Sequence, residues 1–236
     1  MNINTEIETQ TMPVFLEKTN LLMKYIQELS YDEAKSLWRC NDKIAKTSYE
    51  YFANMNLTKG LTPAILSYEG IQYQYMAPSV FEEEQWDYVK KHLYILSGFY
   101  GILRPFDGIV PYRLEMQAAV EIPGYRDLYD FWGDSLYQKL YEDTQVVLNL
   151  ASKEYSKCIE KHLTSKNKFI TCTFGEYKDG KITTKGTYAK IARGEMVRFL
   201  ADNKVEKVSQ VTSFDRLGYH YDREASDEKN MVFIKE

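Results

Sequence analysis

Apolar side chains recur at helical spacing in the first part of the chain and favour two helices there. The first is predicted over Pro13 to Leu29, with Pro13 near its first turn, where a backbone N–H is not needed. Its apolar positions are Phe15, Leu22, Ile26 and Leu29. A second helix is predicted to run through Phe52, because Asn41 or Asp42 offers a side-chain oxygen that can cap its first turn.

Short apolar runs between the helical patterns predict strands. After Thr62-Pro63, the run Ala64 to Tyr68 has the length and composition of a buried strand. Glu82 to His92 has the pattern of a helix, and Leu93 to Ser97 makes a second short apolar run. Helices and short strands therefore alternate, as they do in mixed α/β folds.

The alternation continues in the second half of the chain. Arg126 to Glu142 is amphipathic at helical spacing, and Gln145 to Leu150 is a β-prone run. Lys168 to Tyr177 and Ile182 to Thr184 predict a hairpin, because the Asp-Gly pair between them suits a tight turn. The remaining predicted strands are Val208 to Phe214 and Met231 to Lys235. No repeat or linker interrupts the pattern, so residues 1–236 are predicted to form one mixed α/β domain.

The segment Tyr188 to Ala201 predicts a helix with two chemically different sides. Its apolar arc is formed by Tyr188, Ala192, Met196, Phe199 and Leu200. Lys190, Arg193 and Arg198 are predicted to lie opposite that arc. A phosphate backbone could lie along such a basic stripe, although lysine and arginine are also ordinary exposed helix formers.

Composition narrows the class of protein. With 44% hydrophobic and 27% charged residues, the chain has the balance of a soluble globular protein. It lacks an apolar run of about 18 residues, the length that a membrane span needs. The polar, acidic start is not that of a secretory signal, and the three separated cysteines fit a reducing cytoplasm, where we expect the protein to reside.

Charge is distributed unevenly along the chain. The net charge is −4, yet residues 151–200 contain eleven basic and five acidic residues, a net +6, which leaves −10 for the remainder. A chain with this asymmetry can present a basic face to a polyanion while it stays acidic overall. The alternative is that these lysines are scattered over solvated loops.

The stretch Leu96 to Met116 combines three glycines and two prolines, which together favour an unusual backbone path. It carries Arg104, Arg113 and Glu115 and is therefore the first candidate for a site. Within it, Gly98 and Gly101 can be compared with the hairpin of helix-hairpin-helix modules, whose backbone amides contact phosphates without reading bases. Trp86 to Leu96 is the candidate first helix, Pro105 argues against a second one, and a purely structural turn is the alternative.

Common catalytic and metal-binding motifs are absent. The sequence contains no P-loop, no Gly-x-Ser-x-Gly, no His-Glu-x-x-His and no Glu-x-x-His pair of a di-iron carboxylate site. The candidate polar groups that remain are Arg104, the pair Arg113 and Glu115, the group Lys153, Glu154 and Tyr155, and Lys190 with Arg193. The group Lys153, Glu154 and Tyr155 follows a predicted strand, where a helix N-terminus can bind an anion, or where Ser152 simply caps the helix.

The sequence blocks resemble those of a known family. Leu96 to Asp107 (LSGFYGILRPFD) followed by Pro111 to Met116 (PYRLEM) resembles the signature of the YaaA family of bacterial peroxide-stress proteins. Further blocks agree in order and cover nearly the whole chain. They are Ala64 to Gly70, Leu128 to Gly133, Val147 to Tyr155, Tyr188 to Gly194 and Phe214 to Phe233.

One departure from the family pattern lies at the start of the chain. Family members usually open with a short apolar strand that ends in Ile-Ser-Pro-Ala-Lys, whereas this chain begins Met1-Asn-Ile-Asn-Thr-Glu, which resembles the sequence after that motif. The expectation is a chain that lacks the first strand and its lysine, through truncation or a start codon assigned too far downstream.

The resemblance implies a single domain with a central mixed sheet, flanking helices, a positively charged cleft and a helix-hairpin-helix element. It implies a DNA-binding protein that protects the cell from peroxide and from iron-dependent DNA damage. Our leading hypothesis is a monomer that binds double-stranded DNA without sequence specificity and without catalysis, and we expect no cofactor, metal or membrane partner. The expected phosphate contacts are Arg104, Arg113, Lys153, Lys157, Lys190, Arg193 and Arg198. Gly98 and Gly101 are expected to shape the cleft wall.

Two other interpretations stay open on the same residues. In the first, the protein is an enzyme or an anion-binding protein with a pocket around Arg113, Glu115 and Lys190. Arg113 then clamps a carboxylate or phosphate, and Glu115 or Glu154 moves a proton beside Tyr155. In the second, the glycine- and proline-rich stretch only determines the fold.

Overall fold

The computed structural model describes residues 1–4 and 7–236, in which helices and strands are mixed along the chain. The helices are α1 (Leu16–Glu28), α2 (Tyr31–Trp38), α3 (Asp42–Ala53), α4 (Ala64–Ser67), α5 (Ile71–Met76), α6 (Glu83–His92), α7 (Leu128–Trp132), α8 (Ser135–Leu140), α9 (Lys153–Glu160), α10 (Gly186–Asp202) and α11 (Val208–Val211), with 3-10 turns at Pro78–Val80 and Arg216–Gly218. The strands are β1 (Thr62–Pro63), β2 (Ile95–Ser97), β3 (Gly101–Leu103), β4 (Gly108–Ile109), β5 (Val146–Asn149), β6 (Lys168–Lys178), β7 (Lys181–Thr183), β8 (Tyr219–Asp222) and β9 (Asn230–Lys235). The predicted mixed α/β class is confirmed.

The described residues group into two compact units, each made of separate stretches of chain. The first unit comprises Met1–Tyr68, Tyr94–Glu142 and Ser152–His162. The second comprises Glu69–Leu93, Asp143–Ala151 and Leu163–Glu236. The expectation of a single domain over residues 1–236 stays a prediction.

A mixed sheet organises the second unit. Its strands lie in the order β5, β6, β9, β8, with β6 parallel to both β5 and β9 and β8 antiparallel to β9. Strand β7 pairs antiparallel with β6 across the predicted Asp-Gly turn, in which Asp179 and Gly180 both have positive φ. Those two left-handed positions match the twist of a two-residue hairpin, so the hairpin prediction is confirmed.

The core of the second unit forms between this sheet and α10. Alternate residues of β6, namely Ile170, Cys172 and Phe174, point into it because side chains alternate across a strand. Phe174 stacks on Phe233 of β9 with ring centroids 5.4 Å apart. From α10, the buried side chains Ala192, Met196 and Phe199 complete the cluster. These three confirm most of the predicted apolar arc.

The first unit has an aromatic core. Phe52 of α3 packs edge-on against Phe99 at 5.4 Å, and Trp132 of α7 is fully buried. The N-terminus of α3 has the predicted cap, because the Asn41 side-chain oxygen accepts a hydrogen bond from the Ile44 backbone N–H at 3.0 Å. Two short antiparallel pairs, β1 with β4 and β2 with β3, belong to this unit.

Three predicted elements differ from the structure. Ala64 to Tyr68 forms helix α4 rather than a strand, and Val208 to Phe214 contains helix α11. Short apolar runs are compatible with either state, and tertiary contacts decide between them. The helix predicted over Arg126 to Glu142 is two helices, α7 and α8, because Gly133 between them has a φ of 56° that ends the first.

No helix in the described part of the chain has both the length and the apolar character needed to cross a membrane.

Candidate functional site

Gly98 and Gly101 form the turn that joins β2 to β3, with Ser97 opposite Gly101 in the pairing. A Cβ on Gly98 would lie 2.6 Å from the carbonyl oxygen of Leu114, and Gly101 has a φ of 77°. Trp132 donates its indole N–H to the Gly98 carbonyl at 3.1 Å, which fixes the turn from the other side. The elements flanking the turn are strands, so the helix-hairpin-helix assignment of this segment is wrong.

A chain of hydroxyl groups begins at this turn. Ser97 Oγ accepts hydrogen bonds from the backbone N–H groups of Phe99 (3.1 Å) and Tyr100 (2.9 Å). Both lone pairs are then used, so the Ser97 hydroxyl donates to the Tyr112 hydroxyl at 2.6 Å. Tyr112 in turn donates to the Tyr68 hydroxyl at 2.7 Å. Burial raises the pKa of Tyr112 well above its ordinary value, which keeps this donor protonated.

Charged residues lie beside this hydroxyl chain. Arg113 pairs with Glu115 at 2.8 Å, and Glu154 Oε1 accepts the Gln117 backbone N–H at 3.2 Å. Tyr155 lies within electrostatic range of Tyr112, Glu154 and Glu115, and its pKa is raised chiefly by burial. The structure thus places Arg113, Glu115, Glu154 and Tyr155 in one neighbourhood of the first unit.

The other predicted phosphate contacts of the first unit each make a contact of their own within the fold. Arg104 stacks over Tyr94, with its guanidinium carbon 4.3 Å from the ring centroid. Lys157 lies 4.8 Å from the Tyr129 ring centroid. Lys153 opens α9 and forms an ion pair with Glu160 of the same helix. Ser152 occupies the N-cap position of α9, but its side chain makes no capping hydrogen bond.

Helix α10 carries the candidate cations of the second unit, and its surface differs from the prediction. Lys190 is exposed, whereas Arg193 is half-buried, and burial lowers its pKa. Arg198 is also half-buried and faces Asp202 at 3.8 Å. Between these cations runs a buried stripe of Gly194, Val197 and Ala201. The side expected to form an open basic stripe is therefore a packed one.

Gly194 explains why that side is packed. A Cβ at this position would lie 2.1 Å from the carbonyl oxygen of Gln72 in α5, so the two helices approach closely only because residue 194 has no side chain. A contiguous basic face across α10 is incompatible with this approach. Lys190, one turn earlier, remains exposed.

Comparison with known proteins decides the family. The family model described as "Peroxide stress protein YaaA" matches residues 1–225. The chain belongs to the YaaA peroxide stress protein family. It is 57% identical over 223 residues to a UPF0246 protein of Lachnoclostridium phytofermentans, which covers 94% of this chain and 88% of the relative. A UPF0246 protein of Desulfitobacterium hafniense is 50% identical over 236 residues, or 100% of this chain and 94% of the relative.

Membership of the YaaA family supports a role in peroxide stress. The relatives' printed names describe no ligand, nucleic acid or metal.

Within residues 1–4 and 7–236 of this YaaA protein, no three histidine, cysteine, aspartate or glutamate side chains group closely enough to hold a metal ion. Burial raises the pKa of the Cys158 and Cys172 thiols to about 12, so few of these groups are thiolates at neutral pH.

Two polar features of this YaaA chain escaped prediction. The hydroxyls of Tyr68 and Ser97 come from positions far from Arg113, and only the fold brings them to Tyr112. In the second unit, Lys185 and Lys235 both lie over the ring of Tyr188, at 5.7 and 5.4 Å from its centroid.

Those two lysines line a cavity of about 120 Å³ with the buried Tyr219. Tyr188 was predicted to be buried, but 49% of it is exposed because it supports the lysines at the surface. Tyr188 stands at the start of α10, directly after a lysine-rich hairpin, and this position was the signal in the sequence that could have indicated its exposure.

Proposed function

We propose that this YaaA protein binds double-stranded DNA without sequence preference and thereby limits oxidative, iron-dependent damage to it. The observation that supports the proposal is the state of the lysines in the basic segment. All nine lysines between residues 151 and 200 are exposed, in a chain whose remaining residues are strongly acidic. Exposed lysines can neutralise phosphates and release counterions without rearrangement of the fold.

Individual residues differ in how readily they can contact a phosphate. Lys153, Lys157 and Lys190 are exposed. The Lys153 ammonium group is paired with Glu160, and that of Lys157 lies over the Tyr129 ring. Arg104 and Arg113 reach the surface of the first unit with their guanidinium groups already held by a ring or a carboxylate. The remaining proposed contacts are Arg193 and Arg198, both half-buried. Lys190 therefore provides the sharpest test on α10.

In this proposal the DNA is protected because cations of the protein occupy its phosphates. Ferrous ions associate with DNA as counterions, and the oxidant formed from peroxide reacts close to the iron that produced it. A protein whose cations replace those counterions moves iron away from the sugar and bases. This mechanism requires no metal site and no catalysis on the protein.

Salt dependence provides the test. The association constant for a short duplex, measured by fluorescence anisotropy, is expected to fall with salt on a log–log slope of about −0.9 per neutralised phosphate. Lys190→Gln is expected to weaken binding and to reduce the magnitude of that slope by about 1, because one phosphate contact is lost. In parallel, plasmid nicking by ferrous iron and peroxide is expected to be suppressed by the wild-type protein and less by the variant.

A matched control comes from the acidic part of the chain. Lys24 of α1 is exposed, and Lys24→Gln makes the same change in net charge. This variant is expected to keep the wild-type slope. Affinity that does not depend on salt, or equal effects of the two substitutions, would show that the basic segment is not the DNA-binding surface.

A second candidate function has its own supporting observation. Arg113 is half-buried beside the hydroxyl chain, and its Nε is buried with no hydrogen-bond partner among the residues that the structure describes. A donor in that state suits a small carboxylate or phosphate. In this alternative, Arg113 binds the anion, and Glu115 or Glu154 transfers a proton.

Thermal shift separates the two functions. If the pocket interpretation holds, a carboxylate or phosphate metabolite is expected to raise the melting temperature of the wild-type protein. Arg113→Ala is expected to abolish that stabilisation while duplex affinity stays the same. If Arg113→Ala instead lowers duplex affinity and no metabolite stabilises the wild type, the pocket alternative is wrong.

A further inference from the structure

The hairpin formed by β6 and β7 extends beyond the rest of the mixed sheet. Strand β6 pairs with β9 up to Gly175, and its last three residues, Glu176 to Lys178, pair with β7 instead. Every residue from Tyr177 to Tyr188 is exposed. At about 3.4 Å per residue, the three paired positions give the hairpin a free length of about 10 Å. The second unit therefore presents a two-stranded ribbon to solvent.

The two faces of this hairpin carry different side chains. Because side chains alternate across a strand, Tyr177 and Ile182 share one face, and Lys178 and Lys181 share the other. The first face is held by the fold, since the Tyr177 hydroxyl donates to Asp222 at 2.8 Å. The face with the two lysines lies on the side of the sheet that α10 covers, because the core residues of β6 alternate in the same register.

Lys178 and Lys181 stand directly opposite each other in the strand pairing. Like charges at such positions repel and destabilise a hairpin. Among the residues that the structure describes, neither lysine has an ion-pair partner. Glu176 is bound by Lys185 at 2.6 Å, and Asp179 lies in the turn itself, with a φ of 51°. The fold therefore keeps two positive charges side by side without neutralising either of them.

The acidic groups of the hairpin do not outweigh its lysines. Residues 176–185 contain three lysines and two carboxylates, which leaves a net charge of +1. One of the carboxylates, Glu176, is already paired with a lysine, so Lys178 and Lys181 face a single unpaired carboxylate, that of Asp179. An anion that contacts both lysines would relieve their repulsion, and a phosphate backbone supplies such anions at regular intervals.

We propose that this hairpin enters the major groove of duplex DNA, where Lys178 and Lys181 neutralise phosphates that border the groove. This inference rests on the proposed DNA-binding function and adds the element that engages the groove. The major groove of B-DNA is about 12 Å wide and about 8.5 Å deep, and it admits a two-stranded ribbon. The free length of the hairpin, about 10 Å, matches that depth. The major groove of A-form RNA is too narrow, so an RNA duplex is disfavoured.

The phosphate contacts are tested by fluorescence anisotropy on a short DNA duplex. The double variant Lys178→Gln/Lys181→Gln is expected to bind about tenfold more weakly than the wild type, or weaker still, at about 100 mM salt. The magnitude of its log–log salt slope is expected to fall by about 2, because two contacts are lost. Lys24→Gln/Lys43→Gln makes the same charge change at exposed positions of α1 and α3 and is expected to bind as the wild type does.

Thermal denaturation shows whether the two lysines have a structural role instead. The melting temperature of Lys178→Gln/Lys181→Gln is expected to equal or exceed that of the wild type, because the repulsion between the two strands is removed. Weaker DNA binding by this variant then has no origin in unfolding. A lower melting temperature would contradict the repulsion from which the proposal starts.

A duplex whose thymines carry a bulky C5 substituent locates the hairpin on the DNA, because that substituent projects into the major groove. The wild type is expected to bind this duplex about fivefold more weakly than the unmodified one, or weaker still. On the modified duplex, Lys178→Gln/Lys181→Gln is expected to change affinity by less than about twofold, because the hairpin is already excluded from the groove.

The outcomes separate this inference from the function on which it rests. If the wild type binds the duplex with the expected salt dependence and the double variant binds equally well, the lysines only protect an exposed strand edge from aggregation, and the hairpin proposal is wrong. Equal binding of the two duplexes by the wild type overturns it as well. In both cases DNA binding itself stands. Failure of the wild type to bind any duplex would instead overturn the proposed function.

Discussion

Replacing Gly194 with alanine is expected to lower the free energy of unfolding by about 3 kcal/mol, the upper end of the usual cost of overpacking. The added Cβ would lie 2.1 Å from the Gln72 carbonyl oxygen, 3.0 Å from the Gln72 carbonyl carbon and 3.0 Å from the Met76 backbone nitrogen. All three are backbone atoms, so no side-chain rotation can relieve the clash. Helices α5 and α10 must move apart and expose part of the buried stripe on α10. Chemical denaturation followed by circular dichroism measures the loss.

Gly186 provides a control within the same helix. It is the first residue of α10, and a Cβ there would meet no atom within 4 Å. Gly186→Ala is therefore expected to leave stability unchanged or to raise it by about 0.5 kcal/mol, through lower chain entropy of the unfolded state. Similar stabilities for the two variants would mean that α5 and α10 do not pack as closely as described. A large loss of stability in Gly194→Ala alone would also show that Arg193 and Arg198, on either side of Gly194, belong to a packed surface.

Elements with a strong local signal could be predicted from the sequence. The Asp179-Gly180 turn fixes a hairpin because both residues take positive φ, and Asn41 caps α3 with its own side chain. Ala64 to Ser67 could not be assigned in this way. Its helical conformation follows from bonds to distant residues, because the backbone N–H groups of Ala64 and Ile65 donate to the carbonyls of Asp107 and Pro105.

The candidate site also combines contacts that the local sequence predicts with contacts that it does not. Arg113 and Glu115 stand two positions apart, so local sequence alone suggests their ion pair. The bonds of Tyr112 to Tyr68 and to Ser97 span 44 and 15 positions, and no local pattern encodes them. Tyr188 shows the converse failure. Helical periodicity assigns it to the core, but Tyr188 lies outside the core cluster, and its exposed ring lies under two lysines.

Replacing Phe174 with alanine is expected to destabilise the protein by about 3 to 5 kcal/mol, the range for removal of a buried phenylalanine. Phe174 is 2% exposed and lies at the centre of an aromatic cluster on β6. Its ring is 5.4 Å from Phe233, 5.5 Å from Tyr219 and 5.9 Å from Phe214, measured between centroids. The substitution removes all three contacts and leaves a cavity that neighbouring rings cannot fill, since each is fixed by its own packing.

Tyr177 on the same strand supplies the matched aromatic-to-alanine control. It is 54% exposed, and its one described polar contact is the hydroxyl bond to Asp222 at 2.8 Å. Tyr177→Ala is expected to cost about 1 kcal/mol or less, because the lost hydrogen bond is exposed to water and little apolar area is uncovered. Urea midpoints at constant slope give both values. Should Phe174→Ala cost no more than Tyr177→Ala, the aromatic cluster is not the core of the second unit, and the position of α10 against the sheet, on which the exposure of Lys190 depends, must be reconsidered.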